Sequence, residues 1–210
     1  MLVLASASPR RQELLRRAAV PFRVDPTDIP EVPEPGETAD DFTQRLARAK
    51  ARVVASRHPD QYVLGADTTV VVQNEILNKP DNGEDARRML RLLSGRTHQV
   101  ITGVCLIVPA GLQQREVSIS KRPLAAGNPT LDTALEDVRS EITKVTFSVL
   151  TDSEIDFYVS SREPMDKAGA YAIQGIASRW IANIDGDYSN VVGLPVALVY
   201  RMLRQHGALE

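Results

Sequence analysis

Ser8, Arg10 and Arg11 stand where the apolar run of residues 2–5 gives way to a helical pattern, and their charge has the wrong sign for that place. The first turn of a helix carries partial positive charge and favours Asp or Glu. Ser8 suits an N-cap and Pro9 the first helical position, so the start of the helix is clear. Cations set there, beside free helix-start N–H groups and the hydroxyls of Ser6 and Ser8, make a seat for an anion. Phosphate fits best, because its oxygens match the fixed fork of a guanidinium. The plain alternative is a pair of solvated arginines, as Arg16 and Arg17 are expected to be. Position after the C-terminal end of a strand favours the anion, since ligands bind there in α/β sheets.

A second polar group in an unexpected place is Asp67, in "LGADTTVV". A carboxylate on an apolar strand costs free energy unless a cation or donors meet it. Two readings are open: a structural ion pair with Lys or Arg, or a magnesium ligand or base that activates water. Gly65 and Ala66, just before it, are small enough for something to come close. Glu31 lies in a proline-rich loop, where a solvated acid is the simple reading. Lys50 falls within an amphipathic helix, where its stem can cover apolar surface. Lys79, in "LNKP", has the setting of a fixed loop lysine. "DKAGAYAIQG" supplies Asp166, Lys167, glycines that allow close backbone approach, and Gln174, whose amide can read the edge of a base.

These residues need elements to hold them, and the pattern predicts a strand, a tight loop and a helix over about 10–19, then a short strand in "PFRVDP". Residues 25–37 contain four prolines and cannot be regular structure. Phe42, Leu46, Ala49 and Val53 recur at helical spacing, with Thr38 as cap. "QYVLGADTTVVVQNEIL" reads as paired strands, "GEDARRMLRLLSG" as a helix stopped by Gly95, and "THQVITGVCLIV" as a long strand. Residues 109–140 are polar and broken by Pro and Gly, an elongated hairpin excursion leading to the strand "ITKVTFSVL". A helix in "DSEIDFYVSS", a strand in "SRWIANIDG" and a C-terminal helix begun by Pro195 complete the chain. The expected fold is α/β, one domain over residues 1–210, with a mixed, twisted sheet flanked by helices.

Composition narrows the function classes. At 43% hydrophobic and 25% charged, the 210-residue chain can bury a proper core. A net charge of −2 argues against a duplex nucleic-acid binder, which gains affinity by neutralising phosphates. The single Cys105, inside an apolar run, excludes an internal disulfide framework and reads as a buried strand residue. No apolar run approaches the ~20 residues of a membrane span, and no leader is evident, so a cytoplasmic protein without a membrane partner is expected. There is no P-loop and no G-x-G-x-x-G turn. His58, His98 and His206 lack ligand spacing and read as surface or structural, and Glu136, Asp137 and Glu141 as a solvated face.

Eight blocks in order, "LASASPRRQELL", "RLARAKA", "LGADTTVV", "NKP", "LSGRTHQVITGV", "KVTFSVL", "EPMDKAGAYAIQG" and "NVVGLPV", resemble the Maf family of nucleoside triphosphate pyrophosphatases. The resemblance covers the chain except for about residues 109–140, where this sequence is longer than compact members. It implies a Maf/ITPase-like fold and hydrolysis of a nucleoside triphosphate to the monophosphate and pyrophosphate with a divalent cation, Mg²⁺ or Mn²⁺. It implies Asp67 as proton acceptor, phosphate and metal positions at Ser8, Arg11, Glu31, Lys50 and Lys79, and substrate-sorting positions at Arg10, Thr68 and Gln174. "GADT" with "AIQG" resembles the branch acting on dTTP and UTP. Rival readings are the same reaction on 7-methyl-GTP or other modified nucleotides, and a non-catalytic nucleotide- or RNA-binding module. A homodimer is usual for this resemblance.

Overall fold

The computed structural model describes residues 1–115 and 134–209. β1 (Leu2–Leu4), α1 (Pro9–Arg17) and β2 (Phe22–Val24) open the chain, followed by α2 (Ala39–Ala55), whose N-cap is Thr38. β3 (Tyr62–Val72) turns through Gln73 and Asn74, both at positive φ, into β4 (Glu75–Leu77), the two-residue hairpin geometry that matches strand twist. α3 (Gly83–Leu93), β5 (Thr97–Val108), β6 (Leu135–Phe147) and α4 (Asp152–Ser160) follow, then β7 (Ile181–Asp185), α5 (Tyr188–Val192) and α6 (Val196–Gln205). The sheet runs β2-β1-β3-β5-β6-β7, with β4 paired to β3. β1 is parallel to both neighbours, and all other pairs are antiparallel, so the fold is α/β with a mixed seven-stranded sheet.

Strand side chains alternate between two faces. Val3, Val63, Cys105 and Ile107 pack beneath α2 against Ala47, Ala51 and Val54. Leu2, Leu4, Leu64, Ala66, Val104 and Leu106 pack on the opposite face with Leu15 of α1 and Leu198 and Met202 of α6. Two glycines let α2 lie directly on the sheet. A Cβ on Gly65 would stand 2.2 Å from Ala47 O, and one on Gly103 would stand 2.4 Å from the carbonyl carbon of Thr43. What approaches Gly65 is therefore the helix backbone, not a ligand.

β1 is short, and that shortness makes the cleft. Its last ladder bond is Ala5 N to Leu64 O at 2.9 Å, and β4 joins β3 only from Val70 onward. Between these points β3 has a free edge, and Asp67 and Thr68 lie along it.

Several expectations change. β6 begins at Leu135, so residues 135–140 belong to a regular ladder that pairs Val108 with Leu135 through Thr97 with Thr146. Residues 116–133 of the expected excursion lie outside the described residues. Glu136 and Asp137 are not simply solvated: Glu136 takes both ends of the Arg52 guanidinium, and Asp137 accepts from Arg139 and pairs with His206. "SRW" forms a 3₁₀ turn rather than strand, and β7 starts at Ile181. Cys105 is fully buried, and burial pushes its thiol up to about 12, which suits an inert core residue. No helix among the described residues is long and apolar enough to cross a membrane.

Candidate active site

Ser8 caps α1, its hydroxyl accepting from Arg11 N at 3.4 Å, and the first turn carries no acid. Arg10 and Arg11 then diverge. Arg10 leans over the cleft and meets Asp166 at 3.4 Å. Arg11 turns inward, where its Nε donates to Gly193 O (2.7 Å), Nη1 to Ala66 O (2.9 Å) and Ser6 Oγ (3.1 Å), and Nη2 to Thr68 Oγ1 (3.0 Å). By bonding Ala66 O, the guanidinium takes the place that a longer β1 would have filled. Burial draws its pKa below the usual value, against the pull of Asp67 and Glu31.

Alternation along β3 sends Asp67 to the α2 side, like Val63 and Gly65. Lys50 lies on the same buried stripe of α2 as Leu46, Ala47, Ala51 and Val54, so it points at the sheet. Its ammonium donates to Asp67 Oδ1 at 2.6 Å and to Glu31 Oε1 at 2.5 Å. Lys79 reaches the other oxygen of Glu31 at 3.2 Å. The Lys50 and Asp67 side chains are each only 9% exposed, which makes this a buried ion pair completed by a second acid. Burial raises the pKa of Asp67 above the ordinary carboxyl value despite Lys50 and Arg11 nearby. Glu31, closer to solvent, goes the other way: burial would raise it, but its bonds to Lys50 and Lys79 hold it low.

Thr68 faces the other side of β3, where its hydroxyl meets Arg11, Thr102 Oγ1 at 2.9 Å and Gly193 O at 3.3 Å. Thr102 and the fully buried Asn190 support it. Thr102 donates to Asn190 O, and the Asn190 amide donates to Val100 O and Thr143 Oγ1. Neither residue stands out in the sequence; the only signal is a polar residue within each of two apolar motifs, "VITGV" and "NVVGLPV". Gln174 comes from the turn after Tyr171. The glycines near it serve packing rather than ligand approach: Gly169, at φ +68°, lies against Val70, and Gly175 against the Glu163 carboxylate. Lys167 is held within its own segment by Glu163 O and Asp166.

One cavity of about 640 Å³ is lined by Ser8, Arg10, Arg11, Glu31, Lys50, Asp67, Thr68, Lys79 and Gln174. The cations at the start of α1 and the acid on β3 thus share a single cleft, of a size usual for a small-molecule site. Its polar groups suit a polyphosphate, through Lys50, Lys79 and the cations of α1, and a hydrogen-bonding ring, through the Gln174 amide.

Asp67 and Glu31 also fit a divalent cation. Both are hard oxygen donors, and both already converge on one cationic nitrogen. Among the described residues no group of three or more His, Cys, Asp or Glu gathers anywhere, so these two acids would need ligands from outside the protein. Two carboxylates with phosphate oxygens and water completing the shell is the habit of Mg²⁺.

A family model described as Maf-like protein matches residues 1–206. A dTTP/UTP pyrophosphatase of Koribacter versatilis is 50% identical over 208 residues, covering 99% of this chain and 95% of its own. One from Geobacter sulfurreducens is 48% identical, covering 99% and 97%. The solved Ham1 protein of Staphylococcus aureus aligns over 97% of this chain and 98% of its own, at 13% identity and TM-score 0.45. With whole-chain agreement to the family model and relatives at half identity, this chain belongs to the Maf family.

Proposed function

We propose that the protein hydrolyses nucleoside triphosphates, dTTP and UTP foremost, to the monophosphate and pyrophosphate. The observation that carries this reading is the Lys50 ammonium shared by Asp67 and Glu31 in the cleft that also holds Arg10, Arg11 and Lys79. A pure phosphate holder gains nothing from a buried acid with a second acid beside it, whereas a hydrolase needs a base and a cation seat beside its anion site. The names of the relatives point to the same reaction and to pyrimidine substrates.

In the proposed reaction Asp67 takes a proton from water as the water oxygen forms a bond to the α-phosphorus. The bond from that phosphorus to its bridging oxygen breaks, and pyrophosphate leaves with the electron pair. In the metal-free protein burial holds the pKa of Asp67 above that of an exposed carboxylate. Lys50 leaves its carboxylates for the incoming phosphates, while Lys79 and the Ser8 hydroxyl at the amino end of α1 hold the outer part of the chain. Arg11, with most of its donors already bonded, acts by its charge and by framing the cleft. Asp67 and Glu31 would hold the divalent metal, Mg²⁺ or Mn²⁺, which when bound neutralises charge developing on the phosphates. Arg10, Thr68 and Gln174 sort the base.

The test is a turnover panel of the purified protein with dTTP, UTP, CTP, the purine triphosphates and 7-methyl-GTP, each with Mg²⁺ or Mn²⁺. Pyrophosphate release greatest with dTTP and UTP is expected. Binding without release, or preference for 7-methyl-GTP, contradicts the reading.

A further inference from the structure

Gln174 occupies a corner of a tight turn closed by Gly175 N to Ala172 O at 3.0 Å. The turn has no strand or helix of its own to hold it, yet both of its ends are tied to the same pair of side chains. At the leading end, Ala172 N donates to Tyr158 Oη at 3.1 Å. At the trailing end, Ile176 N donates to the Glu163 carboxylate, 3.0 Å from Oε1 and 3.3 Å from Oε2. The pair is itself joined, Tyr158 Oη donating to Glu163 Oε1 at 2.9 Å. Tyr158 is packed on all sides, being fully buried in α4 with its ring edge-on to Trp180 at 5.4 Å. Gly175 completes the fit. Its φ of −105° is open to any residue, but a Cβ there would stand 2.2 Å from Glu163 Oε1.

We propose that Glu163, acting with Tyr158, is a positioning residue for substrate selection, fixing the turn so that the Gln174 amide meets the nucleobase at one place. This rests on the reading of the cleft as a nucleotide pyrophosphatase site. The carboxylate itself touches the backbone of the turn and Tyr158, so its influence on substrate passes through Gln174. A loosened turn lets the amide wander, and small misplacements of a recognition group are costly. Ser8, Lys50 and Lys79, which the Glu163 carboxylate does not touch, hold the phosphates, and their binding is unaffected.

The experiment compares wild type, Glu163→Ala, Glu163→Gln and Tyr158→Phe. The readouts are kcat and KM with dTTP and CTP, inhibition by inorganic tripolyphosphate, and amide hydrogen exchange at Ala172 and Ile176. Glu163→Ala is expected to lower the dTTP-over-CTP ratio of kcat/KM by about tenfold, carried by KM. Its exchange at Ile176 should accelerate, and its tripolyphosphate inhibition should match wild type. Glu163→Gln, which keeps an acceptor for Ile176 N, is expected to restore most of the selectivity. Tyr158→Phe keeps the buried ring, so it remains folded if Glu163→Ala does not, and it should show the same loss with faster exchange at Ala172. An unchanged ratio in a folded variant overturns the proposal, as does an equal loss of tripolyphosphate affinity. Absence of turnover in the wild type is a separate result, which removes the underlying reading before any variant is compared.

Discussion

At the level of single residues, Asp67 and Lys50 are charges held away from water. Asp67→Asn keeps the shape of the side chain and removes the base, so turnover is expected to fall on the order of 10²-fold or more with the circular dichroism spectrum unchanged. Normal turnover in that variant would remove Asp67 from its role. His98 allows a second prediction. Its ring forms an edge-on trio with Phe147 and Tyr171, Nε2 meets Tyr171 Oη at 2.8 Å, and burial draws its pKa from 6.5 to about 4. The folded state therefore holds the ring neutral, and stability fully present above pH 6.5 is lost as pH falls toward 4. The loss amounts to about 3 kcal/mol. Urea denaturation across that range should show this acid slope in wild type and a flatter one in His98→Gln.

The residue scale also shows what could be read from sequence alone. Asp67 is conspicuous because an acid interrupts an apolar strand, and Arg10 and Arg11 because they oppose a helix dipole. Lys50 is misread from spacing: Phe42, Leu46, Ala49 and Val53 put it beside the apolar stripe, whereas the buried face runs through Leu46, Ala47, Lys50, Ala51 and Val54 and leaves Val53 exposed. Glu163, Tyr158 and Asn190 gave no signal. Their work is done through hydrogen bonds to backbone groups distant in sequence, and no spacing rule reports such bonds.

Among the elements, the decisive contact is α2 lying on β3 and β5. Gly65 and Gly103 remove the side chains that would keep the helix off the sheet, and this brings Lys50 within 2.6 Å of Asp67. Gly103→Ala places a methyl group into the backbone at Thr43, so the helix or the strand must shift. Overpacking of this kind is expected to cost about 1–3 kcal/mol. Denaturation curves will show the loss, and turnover should fall further than stability alone explains, because Lys50 on α2 and Asp67 on β3 no longer face the same point of the cleft. Caps and turns at Ser8, Thr38 and Gly95 were legible, since their chemistry is local. The start of β6 was not. Its charged residues resemble a solvated loop until their partners on α2 and α6 are in view, Arg52 for Glu136, and for Asp137 the His206 that follows α6.

Across the whole molecule, a net charge of −2 coexists with a cleft that gathers Arg10, Arg11, Lys50 and Lys79. Polyphosphate is thus drawn to a concave region whose cations are gathered from α1, α2 and the Lys79 loop. Raising ionic strength from low to about 0.5 M shortens the screening length several-fold, so KM for the nucleotide should rise while kcat changes little. A KM indifferent to salt would mean that the cleft's cations do not govern capture. The central claim is water attack at the α-phosphorus beside Asp67, and isotope transfer tests it most directly. Turnover of dTTP in ¹⁸O-water with Mg²⁺ is predicted to give dTMP carrying one ¹⁸O and unlabelled pyrophosphate. Label in pyrophosphate, or release of dTDP and inorganic phosphate, would contradict the account.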